Sequence, residues 1–311
     1  MARGSVKRKR GQGRRSCAGA SRHEGAPLGY DHRPHAGNQG DVVKHVAFVA
    51  ALDTVLGSSR SQPFRYADTF AGRAFTEIIE EHRSRGGWGG GIGHLKGHSI
   101  KFDGNRHVQW WKERYLAHDN LLGAKYPGSS VIARDVCESR NMRVHLSLWD
   151  SCGEVSDDLR REFDPNIHHI FGRKAESSEV AVREANFLLI DPPGLKSDRQ
   201  PEYPPWETIR QFLIDRPGQQ AVLLWLPVNA VTRSKPPGEN QASWDARNDA
   251  IRLGCRAIRI RWAWGGTTIG CHLVYHLPDK AEKALREAVE CVVEAEGWRA
   301  RLPAGLQCII L

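Results

Sequence analysis

A four-residue apolar run that ends in an acid and two prolines constrains the fold of this chain more than any other segment. The run is Phe187–Ile190, and Asp191-Pro192-Pro193 follows it directly. Such a short, continuous apolar run, stopped by prolines, is typical of a strand buried on both faces of a parallel sheet. Parallel strands need crossover connections, usually helices that cover the sheet. The run therefore predicts an α/β protein.

Other apolar runs are predicted to be strands of the same sheet. Two of them end in an acid, Asp68 or Asp150, as the first run ends in Asp191. The carboxyl ends of the strands form the ligand-binding edge of an open parallel sheet, so we expect three carboxylates there. The predicted strands are 64–68, 144–150, 187–190, 221–226 (stopped by Pro227) and 270–277.

Helical patterns alternate with these strands and predict a doubly wound α/β fold. The first helix spans 39–56, with Asn38 as its N-cap and Gly57 as its end. Its apolar residues cover so much of the helix surface that it must be largely buried. A last helix is predicted over 280–296.

A long segment between the first two predicted strands indicates an insertion. About 75 residues separate these strands, far more than one crossover helix requires. The segment holds a glycine-rich stretch, 86–93, and a predicted helix, 105–122. We therefore predict a small helical subdomain over about 79–125.

The basic residues are concentrated at the amino end of the chain. Eight of the 45 lysines and arginines precede the first acid, Glu24. The rest of the chain contains 37 lysines and arginines and 36 acidic residues. We predict a basic tail over 1–29 and a nearly neutral domain over 30–311. Such a tail is typical of nucleic-acid binding, of a transit peptide or nuclear signal, or of a solvated arm. The expected location is cytoplasmic in a bacterium, and mitochondrial or plastid if the tail is a transit peptide.

Composition argues against several classes of protein. Hydrophobic residues make up 40% and charged residues 26% of the chain, which is typical of globular proteins. We expect no membrane helix, because no apolar stretch approaches about 20 residues. The seven cysteines have no C-x-x-C spacing, which disfavours a disulfide scaffold or a zinc ribbon. The histidines lack ligand spacing, so we expect no metal.

The Asp191-Pro192-Pro193 segment indicates a site for an amine. Consecutive prolines fix φ, so the Asp191 carboxylate and the Pro192 carbonyl are predicted to be rigid, converging acceptors. Such acceptors suit an exocyclic amine such as N6 of adenine. By accepting its hydrogens they direct the nitrogen lone pair toward an electrophile, and the carboxylate can take up the released proton. A proline-rich loop without catalytic function is the alternative for a motif of three residues.

The chain also resembles a known family. Its segment Tyr30–His45 contains H-A-G-N-x-x-D-V-x-K-H and is similar to the opening motif of the RlmJ family. These are 23S ribosomal RNA adenine-N6 methyltransferases that use S-adenosylmethionine (SAM). Similar segments follow in the family's order: Asp68-Thr69, Tyr126–Ser129, Leu159-Arg160, Leu189–Pro193 and Leu224-Trp225. The resemblance covers about residues 30–311. It implies a monomer with a Rossmann-like, SAM-dependent methyltransferase fold, a mostly parallel sheet and an inserted helical subdomain.

The resemblance implies roles for individual residues. Asp191 would bind the adenine amine and accept its proton, while Tyr30, Pro192 and Pro193 would contact the RNA. Ser129 would contact the methionine end of SAM. The full set of cofactor-binding residues that the resemblance implies is Lys44, His45, Phe70, Ser129, Asp150, Glu176, Ser177 and Asp191.

Three positions depart from the family's pattern. The aromatic residue that the family carries after D-P-P is Gly194 here. Loss of a stacking ring weakens base binding by about tenfold or more, and Trp206 or Tyr203 in the following loop are candidates to replace it. The other two departures are Phe70, in place of a histidine, and Ala74, in place of the second glycine of the cofactor turn.

These features predict a SAM-dependent enzyme that methylates N6 of an adenine in 23S-type ribosomal RNA. Two alternatives stay open at this point. One is an RNA-binding homologue with weakened catalysis, because of the three departures. The other is a methyltransferase for a different amine, such as a DNA adenine, because a fold by itself does not define a substrate.

Overall fold

The computed structural model describes residues 33–295, except 60–61, 84–86, 98–103, 118–119, 197–202, 232–240 and 265–266. Tyr30 and the predicted basic tail, 1–29, lie outside the described residues. The strands in the described part are β1 Phe64–Asp68, β2 Phe75–Glu77, β3 Lys125–Pro127, β4 Val144–Trp149, β5 His169–Phe171, β6 Phe187–Ile190, β7 Ala221–Val231, β8 Arg256–Trp264 and β9 Thr267–His276. The helices are α1 Gln39–Ser58, α2 Ile92–Gly97, α3 Arg106–Tyr115, α4 Ser129–Ser139, α5 Gly153–Glu162, α6 Val180–Arg183, α7 Trp206–Asp215, α8 Gln241–Arg252 and α9 Asp279–Ala295.

Seven of these strands form one sheet in the order β5-β4-β1-β6-β7-β9-β8. The pairs from β5 to β7 are parallel, whereas β9 is antiparallel to both β7 and β8. The order reverses direction at β1 and β6, which is the switch point where ligands bind in open α/β sheets. The predicted α/β, Rossmann-like fold with a mostly parallel sheet is confirmed.

Helices cover both faces of the sheet. Phe187 and Leu189 of β6 belong to the core on the α1, α4 and α9 face, and Leu188 and Ile190 belong to the core on the α7 and α8 face. All four residues are buried. Successive side chains of a strand point to opposite faces, so burial on both faces explains the continuous apolar run.

Several predicted element bounds are wrong at their ends. Helix α1 begins after Asn38, whose side chain accepts the Asp41 N–H, as predicted, but it continues past Gly57 to Ser58. There the Ser58 hydroxyl donates to the carbonyl of Val55 and stabilises the last turn.

Strand β7 continues through Pro227 to Val231. Its pairing with β6 ends at Leu224, so Pro227 lies where that ladder has stopped and its missing N–H is tolerated.

The insertion is framed by a pair of strands that sequence patterns did not predict. Strand β2 pairs antiparallel with β3, and residues 78–124 lie between them. Helix α3 ends at Tyr115, well before the predicted end at Leu122, because the chain must return to β3. Gly123, with a φ of 77°, lies in that return.

Candidate functional site

The candidate site lies at the carboxyl edge of the sheet, where β1, β4 and β6 end side by side. Asp68 is the last residue of β1, Asp150 follows β4 and Asp191 follows β6. The N-terminal parts of α1 and α4 reach the same edge through Lys44 and Ser129, which contact two of these acids. The three carboxylates predicted from strand ends therefore occupy one edge, as expected for neighbouring parallel strands.

Lys44 forms an ion pair with Asp191 across the site. Its Nζ lies 2.6 Å from Oδ2 of Asp191 and 3.2 Å from Oδ1 of Asp41, one turn earlier in α1. Burial disfavours the charged ammonium, but the two carboxylates outweigh burial and raise the pKa of Lys44 above its ordinary value. Lys44 is therefore a permanent cation that neutralises and orients the Asp191 carboxylate.

Asp68 is fully buried and accepts three hydrogen bonds. The Ser129 hydroxyl lies 2.6 Å and the Tyr66 hydroxyl 3.0 Å from its Oδ2, and the Phe70 N–H donates to its Oδ1 at 3.1 Å. Burial, together with the nearby charge of Asp191, outweighs the lowering effect of these hydrogen bonds and raises the pKa of Asp68 to about 6. A carboxyl group with this pKa can exchange a proton near neutral pH.

Asp150 holds the turn after β1. Its Oδ2 accepts the Gly72 N–H at 3.2 Å and its Oδ1 accepts the Cys152 N–H at 2.8 Å. Burial raises the pKa of this carboxyl group. Gly72 has a φ of 63°, a left-handed conformation that favours glycine. The carboxylate thus fixes the backbone of residues 71–74 close to the end of β4.

The same turn packs directly on the start of α4. The Gly128 N–H donates to the carbonyl of Ala74 at 2.8 Å. A Cβ on Gly128 would lie 2.1 Å from the carbonyl oxygen of Arg73, so only glycine allows this approach. Ala74, which departs from the family's glycine, is itself buried in the core, with its N–H bonded to Asp158. The close backbone approach in this region comes from Gly128.

His45 is buried beside the insertion. Its Nδ1 lies 2.9 Å from the hydroxyl of Tyr126 in β3, and the two rings stack with centroids 5.4 Å apart. Burial raises the pKa of Tyr126 well above its ordinary value, so the hydroxyl stays protonated. His45 thus joins α1 to β3, at the end of the insertion, and its predicted contact with a cofactor stays a prediction.

Glu176 and Ser177 follow β5 and have partners of their own. The Ser177 hydroxyl donates to Oδ2 of Asp215 in α7 at 2.6 Å. Glu176 is exposed, and its N–H donates to Oε1 of Glu179 at 2.8 Å. Glu179 in turn accepts the indole N–H of Trp149 at the end of β4, which links this loop to the carboxyl edge. The predicted roles of both residues toward a cofactor stay predictions.

Sequence reasoning noted Asp68 as a strand-end acid but gave it no role, and it did not select Tyr66. One signal was available: Tyr66 lies two residues before Asp68 in the same strand, so both side chains lie on one face of the sheet. The contact of Ser129 with Asp68 joins residues 61 positions apart, and no local pattern predicts it.

No helix in the described part of the chain is long and apolar enough to cross a membrane. Among the described residues, no group of three or more His, Cys, Asp or Glu side chains could hold a metal ion.

Comparison with known proteins identifies the relatives of this chain. No family model matches it. The ribosomal RNA large subunit methyltransferase J of Escherichia coli (strain K12) is 28% identical over 184 residues, or 56% of this chain and 62% of that protein. The protein of the same name from Haemophilus influenzae is 27% identical over 179 residues, or 55% of this chain and 61% of its own length. The chain is therefore similar to these two methyltransferases over about half of its length.

The matched regions span less than two thirds of the length of these curated relatives. A solved structure from Legionella pneumophila is similar to this chain in fold. It is 16% identical, with a TM-score of 0.55, and the match covers 84% of this chain and 94% of that one. At this identity the likeness concerns the fold, which agrees with the Rossmann-like sheet order described above.

Proposed function

We propose that this chain transfers a methyl group from SAM to N6 of an adenine in large-subunit ribosomal RNA. The observation that carries the proposal is the Asp191 carboxylate, which lies 2.6 Å from the Lys44 ammonium, directly after β6 and before two prolines. The curated relatives are named as large-subunit ribosomal RNA methyltransferases, which supports the same reaction and substrate class. The substrate RNA would contact Pro192 and Pro193, and also Tyr30.

The residues around the turn after β1, residues 71–74, fit SAM as a cofactor. A Cβ on Gly72 would meet no atom of the described residues within 4 Å, so the turn has open space beside it. The Asp150 carboxylate lies next to that space and suits ribose hydroxyl groups, as strand-end acids do in dinucleotide folds. Ser129, Phe70 and Lys44 border the same edge. When bound, SAM supplies an electrophilic methyl group.

Asp191 would act on the adenine amine. Lys44 holds Oδ2 of Asp191, which leaves lone pairs of Oδ1 and of the Pro192 carbonyl for the amine hydrogens. The methyl group that SAM would supply would pass to N6, and Asp191 would take up the amine proton. Asp191 is thus the proposed catalytic residue, and Lys44 positions it.

A methyl-transfer assay tests this function. Radiolabelled SAM is incubated with protein-free, unmethylated large-subunit ribosomal RNA and either the wild-type protein, Asp191→Asn or Asp157→Asn. Asp157 is a matched control, because it is an exposed acid of α5 whose ion pair, among the described residues, is with Arg160 of its own helix. We expect labelled N6-methyladenosine with the wild type and Asp157→Asn, and none with Asp191→Asn.

Two results would contradict the proposal. One is label recovered only on DNA or on a small amine, which would identify a methyltransferase with a different substrate. The other is calorimetric binding of SAM without label on any RNA, which would identify a homologue that has lost turnover.

A further inference from the structure

An aromatic ring covers the glycine that follows Asp191-Pro192-Pro193. A Cβ on Gly194 would lie 2.5 Å from both Cδ2 and Cε2 of Tyr203, closer than real side chains approach. Gly194 and the next residue, Leu195, are buried, whereas Tyr203 is only partly buried. Glycine at position 194 therefore makes room for a ring supplied from nine residues further along the chain.

The loop that carries Tyr203 is closed by its own backbone. The Lys196 N–H donates to the carbonyl of Pro204 at 3.0 Å, next to Tyr203. Pro205 then caps α7, and prolines at both positions restrict the backbone just after the ring. The position of the Tyr203 ring against Gly194, three residues after Asp191, is thus determined by backbone contacts as well as by packing.

Trp206, the other aromatic residue nearby, is held elsewhere. Its indole N–H donates to Oδ2 of Asp249 in α8 at 3.0 Å, and Arg210 donates to the same oxygen at 2.7 Å. The Trp206 side chain also packs against the core that lies between the sheet and helices α7 and α8. It therefore serves α7–α8 packing, whereas the Tyr203 ring lies against Gly194, next to Asp191-Pro192-Pro193.

We propose that Tyr203 stacks on the target base while Asp191 and the Pro192 carbonyl accept hydrogens from its amine. Enzymes that modify a base extrude it and bind it by stacking on aromatic side chains and by hydrogen bonds to its polar edge. Asp191 and Tyr203 would supply these two kinds of contact from opposite ends of one loop. This inference rests on the proposed function, since it requires a base as substrate.

Two substitutions at position 203 separate stacking from other roles. Tyr203→Ala removes the ring, and we expect kcat/KM for RNA to fall by about tenfold or more. The Kd for SAM and the melting temperature should stay close to wild-type values. Tyr203→Phe keeps the ring without the hydroxyl, and it should retain most of the activity. Equal activity of wild type and Tyr203→Ala would overturn the inference, as would a parallel loss of SAM affinity, which indicates a structural role.

Moving the ring gives a stricter test. Gly194→Tyr alone should lose activity, because the new Cβ overlaps the Tyr203 ring. In Gly194→Tyr/Tyr203→Ala the space is free, and a ring attached three residues after Asp191 should restore at least part of kcat/KM. A double variant no more active than Tyr203→Ala would count against stacking at this position.

A readout without turnover separates this inference from the proposed function. A short single-stranded RNA with 2-aminopurine in place of adenine reports stacking as quenching of its fluorescence. We expect stronger quenching with the wild type and Tyr203→Phe than with Tyr203→Ala. If the wild type methylates no RNA, the proposed function fails, yet this difference still measures whether Tyr203 binds a base. Equal quenching by all three proteins would reject the role of Tyr203.

Discussion

The Lys44 ammonium lies 2.6 Å from the Asp191 carboxylate although the two residues are 147 positions apart. Asp41 contributes a second carboxylate to the same cation. This contact connects the first helix to the end of the central strand, and it places a buried positive charge beside the proposed amine-binding group. The ion pair therefore has a structural consequence and, in the proposed reaction, a catalytic one.

Replacement of Lys44 by methionine should affect stability and activity together. Lys44→Met leaves Asp191 and Asp41 without their counter-ion in a largely buried position, so the free energy of unfolding should fall by about 3 kcal/mol. Methyl transfer should be lost, because Asp191 is no longer held in place. Urea denaturation and the labelling assay measure the two effects. Lys283→Met, at an exposed lysine of α9, is the control and should change neither. An unchanged unfolding free energy in Lys44→Met would show that the pair is not a stabilising contact.

Asp68 should make the stability of the protein depend on pH. Its pKa is raised to about 6 in the folded state, so its contribution to stability is greatest below pH 4 and is lost as the pH rises through 6. One pKa unit corresponds to about 1.4 kcal/mol, so the wild type should lose up to about 3 kcal/mol relative to Asp68→Asn. Urea denaturation of both proteins between pH 4 and 8 measures this difference. Parallel pH dependences would mean that Asp68 stays ionised in the folded protein.

Gly72 should matter for the cofactor beyond its effect on stability. Gly72→Ala and Gly123→Ala both place a Cβ at a positive φ with open space around it, so each should destabilise the protein by about 1 kcal/mol. Only Gly72 lies beside Asp150. Calorimetry should therefore show weaker SAM binding for Gly72→Ala and unchanged binding for Gly123→Ala. Equal SAM affinities of the two variants would indicate that the cofactor does not bind at this turn.

Asp53 should stabilise the docking of the insertion on the first helix. Its carboxylate accepts hydrogen bonds from Arg140, at 2.5 and 2.6 Å, and lies 3.1 Å from His107 in α3. Burial opposes its ionisation, but the hydrogen bonds from His107 and Arg140 outweigh burial and lower the pKa of Asp53. At pH 7, Asp53→Asn should reduce the free energy of unfolding by about 2 kcal/mol.

The contribution of Asp53 to stability changes with pH in the opposite direction to that of Asp68. A lowered pKa gives stability that is present above the ordinary pKa of an aspartate, about 4, and is lost at lower pH. The difference between the wild type and Asp53→Asn should therefore narrow as the pH falls below 4 in urea denaturation. The exposed-acid variant Asp157→Asn serves as the control. If the difference in unfolding free energy between the wild type and Asp53→Asn stays constant at low pH, ionisation of Asp53 is not its cause.

Local sequence patterns predicted the elements that are defined by their own residues. The bounds of β1 and β6 agree with the predicted strands 64–68 and 187–190, and Asn38 caps α1 as predicted. In each case, the element is defined by apolar spacing or by a capping side chain, both of which involve residues only a few positions apart. Strand β5, with only three residues, and the β2–β3 pair were missed, because strands this short carry too little periodicity.

The amino-acid sequence by itself determined the α/β fold and the acids at the strand ends. Burial on two faces requires a continuous apolar run and prolines stop a strand, and both are features of a few consecutive residues. Only the tertiary structure decided which partner each acid has: Lys44 for Asp191, Ser129 and Tyr66 for Asp68, and the Gly72 turn for Asp150. It also decided that Tyr203 and not Trp206 lies over Gly194. These contacts join residues brought together by sheet order and loop closure, and no sequence spacing encodes such distances.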